Sequence, residues 1–196
     1  MKLPVTAGIL TGGRGSRMGG IDKGWVELDG KPLVRHLLDR LQPQTGHILI
    51  NANRNLDDYA ALGYPVVRDR LDGFQGPLAG FAALLNACEG DWLAVTPCDS
   101  PLLPDDYLQR LQAAAKQNPE ARIVVAHDGR RIQPVHALIA RELINDLEDF
   151  LQSGERKIDL WYDRHHWVPA DFSDRPETFV NLNRPADYEQ LKAVPR

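Results

Sequence analysis

Six short apolar runs, separated by stretches of helical character, constrain this chain more than any other feature. The runs are 5–10, 46–51 (GHILIN), 65–69 (PVVRD), 92–97 (WLAVTP), 122–127 (RIVVAH) and 135–140 (VHALIA). Between them, 32–42, 55–62, 78–88, 104–117 and 141–152 carry helical spacing, with Pro32 suited to a first turn. Strands alternating with helices of that length imply crossover units, because a parallel neighbour is reached only through a long connection. Continuous strings such as ILI and WLAV fit strands buried on both faces. Asp128-Gly129 between the last two runs predicts a hairpin, and with it an antiparallel element. The expectation is one α/β domain over residues 1–196. It is a three-layer α/β/α, Rossmann-like fold with a mostly parallel sheet, and ligands belong at the carboxyl ends of its strands.

The first strand runs directly into LTGGRGSRMGGIDKG (10–24), a glycine-rich string punctuated by Arg14, Arg17 and Lys23. Glycine lacks a Cβ, so such a backbone can approach a ligand closely. Successive N–H groups there can form an anion nest, and the three cations supply the opposing charge. A polyphosphate is the ligand this suits. No Gly-Lys is followed by Ser or Thr, which excludes a Walker A loop; Gly30-Lys31 runs into Pro32. Gly13, Gly15 and Gly19 give G-x-G-x-x-x-G, one residue too long for a dinucleotide fingerprint. A flexible linker would be Ser-rich and would not need cations at set places after a buried strand.

Polar groups suited to a nucleotide recur at the other strand ends: Asn51-Ala52-Asn53-Arg54, Asp69-Arg70 and Thr96-Pro97-Cys98-Asp99-Ser100-Pro101. Singly, Asn51 or Asp69 reads equally well as a turn residue or helix cap. Asp99 is more telling. Pro97 and Pro101 stiffen its turn, and the next helix begins some five residues on, so a capping role fits poorly. A carboxylate so placed suits Mg²⁺, a hard cation that shares phosphate oxygens and keeps several waters. Cys98 beside it reads as a small buried residue.

Composition narrows the partners. The 196 residues are 43% hydrophobic and 26% charged, enough for a sizeable core. A formal net charge of −4 argues against nucleic acid or a membrane surface as partner. The N-terminus holds no apolar stretch longer than the strand at 5–10, so neither a signal peptide nor a spanning helix is expected. Cys88 and Cys98 form no C-x-x-C, which points to the reducing cytoplasm.

Taken in order, LTGGRGSRMGGIDKG, LDGKP, ILINANR, GPLAG (76–80), TPCDSP (96–101) and FVNLNRPADYEQL (179–191) resemble the molybdenum cofactor guanylyltransferases. The glycine loop is shared by many nucleotidyltransferases. NANR, GPLAG and the closing VNLN-x-P single out this family, and the likeness extends from residue 5 to about residue 191. The resemblance implies a nucleotidyltransferase fold and reaction of GTP with a molybdopterin-type cofactor to give its guanine dinucleotide form and pyrophosphate. It implies nucleotide contacts from Leu10, Thr11, Gly12, Lys23, Asn51, Asp69 and Asp99, with Asp99 also holding Mg²⁺. Molybdenum-insertion proteins and molybdoenzymes that accept the product are the partners it suggests. Position 11 is Thr where the family often has Ala, a departure of little weight if the backbone faces the nucleotide.

The chemistry needs little more than positioning and charge neutralisation, because an acceptor phosphate is already a nucleophile. Arg14, Arg17 and the N–H groups of residues 12–15, Gly13 among them, would hold the β and γ phosphates. Lys23 would reach them from the far side, placing Arg17, Lys23 and Asp99 as the catalytic group. No G-x-S-x-G, H-E-x-x-H or Cys–His motif competes with this reading, and His165-His166 reads as a surface turn. Which of Asn51 and Asp69 selects guanine stays open. Asn181 and Asn183 would share one side of an extended segment, and the resemblance gives that segment the pterin. Arg156 and Lys157 read first as a solvated helix face, with a phosphate contact as the alternative. A cytidylyltransferase on the same cofactor, or a sugar-phosphate nucleotidyltransferase, is the neighbouring reading. A non-catalytic binding module fits poorly with Lys23 and Asp99 both in place.

Overall fold

The computed structural model describes residues 4–11, 22–70 and 75–182. Along them run β1 (Val5–Leu10), β2 (Glu27–Leu28), β3 (Lys31–Pro32), α1 (Leu33–Leu41), β4 (Ile48–Asn51), α2 (Leu56–Ala60), β5 (Val66–Val67) and α3 (Pro77–Ala87). Then follow β6 (Trp92–Pro97), α4 (Tyr107–Gln117), β7 (Ile123–His127), β8 (Ile132–Ala140), α5 (Ile144–Gln152), α6 (Ile158–Tyr162) and β9 (Trp167–Asp171). Seven strands form one sheet in the order β5-β4-β1-β6-β8-β7-β9, while β2 and β3 make a separate hairpin. β1 lies parallel to β4 and β6, β4 to β5, and β7 to β9; β8 alone runs antiparallel to both its neighbours. The expected three-layer α/β/α sandwich with one antiparallel element is what forms.

Side-chain alternation along β1 explains the layers. Val5, Ala7 and Ile9 enter one core with Val34, Leu37 and Leu41 of α1 and with Leu108 and Leu111 of α4. Leu10 points to the opposite core, built on Leu78, Phe81 and Leu85 of α3 and Leu147 and Phe150 of α5. In α1 the buried residues recur at helical spacing, leaving Arg35, Asp39 and Arg40 outside the core. Nearly all of α3 is buried, because α5 packs over the face the sheet leaves uncovered. That is why α3 lacks a polar stripe. A third small cluster joins Leu28, Leu33 and Leu182, with Val26, Leu102 and Val180 packed against it.

Several boundaries differ from expectation. The strand at 46–51 starts at Ile48, that at 65–69 shrinks to Val66–Val67, and Arg141–Leu143 is a 3₁₀ turn ahead of α5. The expected hairpin is present: the Asp128 carboxylate accepts from Arg130 and Arg131 N–H at 2.8 Å each, and Gly129 takes φ +92°. β8 is three residues longer than its apolar run. The β7–β8 register jumps from Val125↔Ala137 to Ala126↔Gln133, so Pro134, Val135 and His136 lie in an irregularity. Three elements carry no clear sequence signal. The β2–β3 hairpin is only two residues per strand, and α6 is a single short turn and a half. β9 contains Pro169, which argues against a strand, but β9 is at the sheet edge and pairs only with β7.

Candidate active site

A cleft of about 320 Å³ opens at the carboxyl ends of β1, β4 and β6, a size ordinary for a small-molecule site. Leu10, Thr11, Lys23, Asn51, Asp69 and Asp99 all line it. Every sequence-derived nucleotide residue within the described part of the chain therefore reaches one concavity. Gly12, Gly13, Arg14, Arg17 and Asn183 lie outside the described residues. Asn181 is described and stands beside the Asp99 turn rather than in the cleft lining.

The floor is set by backbone pairing. Thr11 N–H and its hydroxyl both donate to Asn51 O, at 3.0 and 2.8 Å, locking the end of β1 to the end of β4. With its N–H engaged there, Thr11 is not the start of an anion nest. On the far wall, Asp69 is held by two amides. Asn51 Nδ2 donates to Oδ1 and Asn53 Nδ2 to Oδ2, each at 2.8 Å, while Asn53 Oδ1 accepts from Asp69 N–H at 2.9 Å. Asn53, named in the sequence only as part of NANR, thus fixes the carboxylate in both directions. Each carboxylate oxygen has two acceptor sites, so one per oxygen remains for a ligand's N–H groups.

The third wall is the start of α3, where Gly76, Pro77 and Gly80 face the cleft. A Cβ at Gly80 would lie 2.6 Å from Asn51 Oδ1 and 2.6 Å from Leu10 Cδ2. Only glycine lets the helix come this close, and the positive end of its dipole is brought to the site with it.

Lys23 and Asp99 close the fourth side. Lys23 Nζ donates to Asp99 Oδ2 at 3.0 Å, with side-chain exposures of 29% and 13%. Lys23 opens a 3₁₀ turn, Lys23–Trp25, capped by Asp22, whose carboxylate accepts from Gly24 N–H at 3.2 Å. Asp22 also accepts from Tyr59 O–H at 2.6 Å and Asn55 Nδ2 at 2.9 Å, and Trp25 packs on the Tyr59 ring at 5.2 Å. Burial, reinforced by the hydrogen bond to Asp22, pushes the Tyr59 phenol well above its ordinary value, so it stays a donor. This anchor was missed in the sequence. The only signal was Asp22 in N-cap position before Lys23-Gly24, and nothing linked it to Tyr59.

Burial, followed by the Asp99 charge, drives the Cys98 thiol well above its ordinary range. Cys98 is a packed thiol rather than a nucleophile. Among the described residues no group of three or more His, Cys, Asp and Glu could hold a metal ion. Arg156 reaches toward the cleft: its Nε donates to Gln75 Oε1 at 2.7 Å, and Gln75 lines the cavity. Arg156 sits between α5 and α6, so the reading of a solvated helix face is corrected for it. No helix among the described residues is long and apolar enough to cross a membrane.

Residues 7–167 match the family described as MobA-like NTP transferase domain. Molybdenum cofactor guanylyltransferases from Shewanella loihica and Shewanella woodyi are 49% and 48% identical over 191 residues, covering 97% of each chain in both cases. A molybdopterin-guanine dinucleotide biosynthesis protein A from Archaeoglobus fulgidus shares the fold, with a TM-score of 0.77, 24% identity and coverage of 94% of this chain and 95% of that one. The fold also recurs in a 2-C-methyl-D-erythritol 4-phosphate cytidylyltransferase from Thermus thermophilus, at TM-score 0.69 and 15% identity, covering 99% and 100%. Fold alone therefore does not separate guanylyl from cytidylyl transfer, but near-full-length identity close to one half does. The chain is a nucleotidyltransferase and belongs to the molybdenum cofactor guanylyltransferase family.

Proposed function

We propose that this cleft is where guanylyl transfer takes place, with GTP seated along the ends of β1, β4 and β6. The observation that carries the reading is the convergence of Lys23 and Asp99 with Asn51 and Asp69 on a single concavity. As a molybdenum cofactor guanylyltransferase, the chain transfers GMP from GTP to a molybdopterin-type cofactor and releases pyrophosphate. An oxygen of the acceptor's terminal phosphate attacks the α-phosphorus. The bond from that phosphorus to the bridging oxygen breaks, and its electron pair leaves with pyrophosphate. No general base is required, because the attacking phosphate is already anionic.

The residues divide the work by charge. Asp69, immobilised by Asn51 and Asn53, offers fixed acceptors to the N1–H and N2–H₂ donors of guanine, which adenine and cytosine cannot match in the same geometry. Lys23, with Arg17 and the N–H groups of Gly12 and Gly13, takes the phosphate chain; Leu10 and Thr11 line the nucleotide's near side. Nucleotidyltransferases of this family generally need a divalent metal ion. Asp99 fits Mg²⁺ as a hard oxygen donor on the cleft wall, with phosphates and waters completing the shell. Bound there, the ion would neutralise charge accumulating on the pyrophosphate. Asn181 and Asn183 are the residues assigned to binding the pterin. Proteins that insert molybdenum, and enzymes that use the finished cofactor, are the partner classes this reaction implies, in the cytoplasm.

Product analysis tests this directly. With GTP, Mg²⁺ and molybdopterin-containing cofactor, the expected products are the guanine dinucleotide and pyrophosphate, with CTP, ATP and UTP far slower. Preference for CTP would overturn the base assignment. GTP binding with no pyrophosphate release would make the chain a binding module.

A further inference from the structure

One buried titratable group has no part in the reaction as described. His136 stands where β8 enters the core, within the register irregularity opposite β7, and is buried. An irregularity of this kind re-aims side chains. This one turns an imidazole inward, between Phe179 at 4.9 Å (edge-on, 79°) and Tyr107 at 6.1 Å (80°). Burial lowers the His136 pKa to about 3, so the ring is neutral, with one N–H and one bare nitrogen.

The hydrogen bonds around it fix which nitrogen is which. Ser100 Oγ donates to Asn181 Oδ1 at 3.0 Å. A hydroxyl has one hydrogen, so at its other contact, 3.1 Å from His136 Nε2, Ser100 accepts. Nε2 therefore carries the proton and Nδ1 is the acceptor. Tyr107 O–H already donates to Val95 O at 3.2 Å, which leaves the Thr96 hydroxyl, 3.3 Å away, as the donor to Nδ1. Every link then points one way: Thr96 to His136 to Ser100 to Asn181. The chain begins in the buried end of β6 and finishes on Asn181, an exposed residue. Beside it, Leu182 N–H donates to Asp99 O at 3.0 Å, so this segment is tied to the Asp99 turn twice.

We infer that His136 is a positioning residue for the acceptor: through Ser100 it grips Asn181 by the amide oxygen and thereby turns the amide N–H₂ outward, toward an oxygen or ring nitrogen of the pterin. The inference rests on the acceptor-side reading of Asn181. A network serving stability alone would have no reason to end on a surface amide that water could satisfy. This one sets the donor end of that amide and seats it against the loop that carries Asp99.

The test is steady-state kinetics with molybdopterin-containing cofactor, alongside GTP affinity by calorimetry. Ser100→Ala and His136→Leu are expected to raise the KM for the cofactor about tenfold, the weight of one lost hydrogen bond. GTP affinity should stay within about twofold, since none of the four residues forms the base wall. The double variant should be no worse than either single one, and His136→Gln, whose amide can donate toward Ser100, should recover most of the loss. Asn181→Asp should behave like Asn181→Ala, because it keeps the acceptor for Ser100 and loses the outward donor. An unchanged cofactor KM in Asn181→Ala would sink the acceptor reading of Asn181 itself. A raised KM there beside unchanged values in Ser100→Ala and His136→Leu would overturn the relay alone. Equal loss of GTP affinity in Ser100→Ala would mark general loosening and overturn it too. Should His136→Leu fail to fold, Ser100→Ala carries the test unaided.

Discussion

Lys23 and Asp99, 76 residues apart in sequence, meet at 3.0 Å on the wall of the cleft at the carboxyl ends of β1, β4 and β6. The pairing compensates a carboxylate only 13% exposed, which would otherwise be costly to hold away from water. It also places a cation and a carboxylate together where the phosphates of GTP are proposed to lie.

Asp99→Ala should lower the transfer rate by about a hundred- to thousand-fold, the usual weight of an electrostatic stabiliser. Thermal unfolding should stay close to that of the parent, because Asp99 lies at a strand end outside the core clusters. Chelation of divalent metal should abolish turnover of the parent, and added Mg²⁺ should restore it. Near-parental rates for Asp99→Ala at saturating Mg²⁺ would remove the metal assignment.

Lys23→Ala should also be strongly impaired. Lys23→Arg should recover only part of the rate, since a planar fork does not replace a compact ammonium. Because the two groups touch, Lys23→Ala combined with Asp99→Ala should lose less than the two single effects together. Simple additivity in a double-mutant cycle would show that the pair acts independently.

Asp69→Ala should weaken GTP binding by about 1–3 kcal/mol and narrow the gap between GTP and other nucleotides, because the guanine donors lose their partner. Asn53→Ala should move both quantities the same way by less, since Asn51 still holds one carboxylate oxygen. Calorimetry with GTP, CTP and ATP reads both. An unaltered order of preference in Asp69→Ala would place base selection elsewhere.

Tyr59→Phe deletes the O–H that donates to Asp22 at 2.6 Å and leaves the ring against Trp25. The variant should lose about 1–2 kcal/mol in denaturant unfolding. It should turn over more slowly while binding GTP nearly as well, because the turn that aims Lys23 has lost its anchor. Parental kcat in this variant would show that the Asp22 cap holds Lys23 by itself.

Acidification should expose His136. The unfolded chain takes up this proton near pH 6.5, whereas the folded protein resists it down to about 3. The stabilisation is complete above pH 6.5 and is lost as pH falls from there toward 3, at up to about 1.4 kcal/mol per pH unit. His136→Gln should flatten the fall between pH 6.5 and 4.5, a window above the range where Asp128, Asp146 and Asp174 titrate. An identical slope in the two proteins would exclude His136 as its source.

What could be foreseen from the residues follows from where information is stored in the chain. The ends of β1, β4 and β6 were legible because an apolar run stops abruptly at Thr11, Asn51 or Asp99, and each stop is local. Asp22 with Tyr59, and His136 with Ser100 and Asn181, were not. Each pairs segments tens of residues apart, and each partner alone is unremarkable. His136 in particular sits in VHALIA, where one polar residue in a strand gives no hint of what it faces. β9 was hidden by Pro169, whose missing donor matters only if a neighbour lies on both sides.

The small cluster of Leu28, Leu33 and Leu182 has a mechanical consequence. Leu28 and Leu33 belong to the hairpin and helix that follow the turn carrying Lys23, and Leu182 follows Asn181. The segment proposed for the nucleotide phosphates and the segment proposed for the pterin thus share one stopper of hydrocarbon, so a shift of one is expected to push the other. Occupancy of the first seat should be felt in the second, so cofactor affinity measured with and without bound GTP should differ. Equal affinities would mean that the stopper transmits nothing.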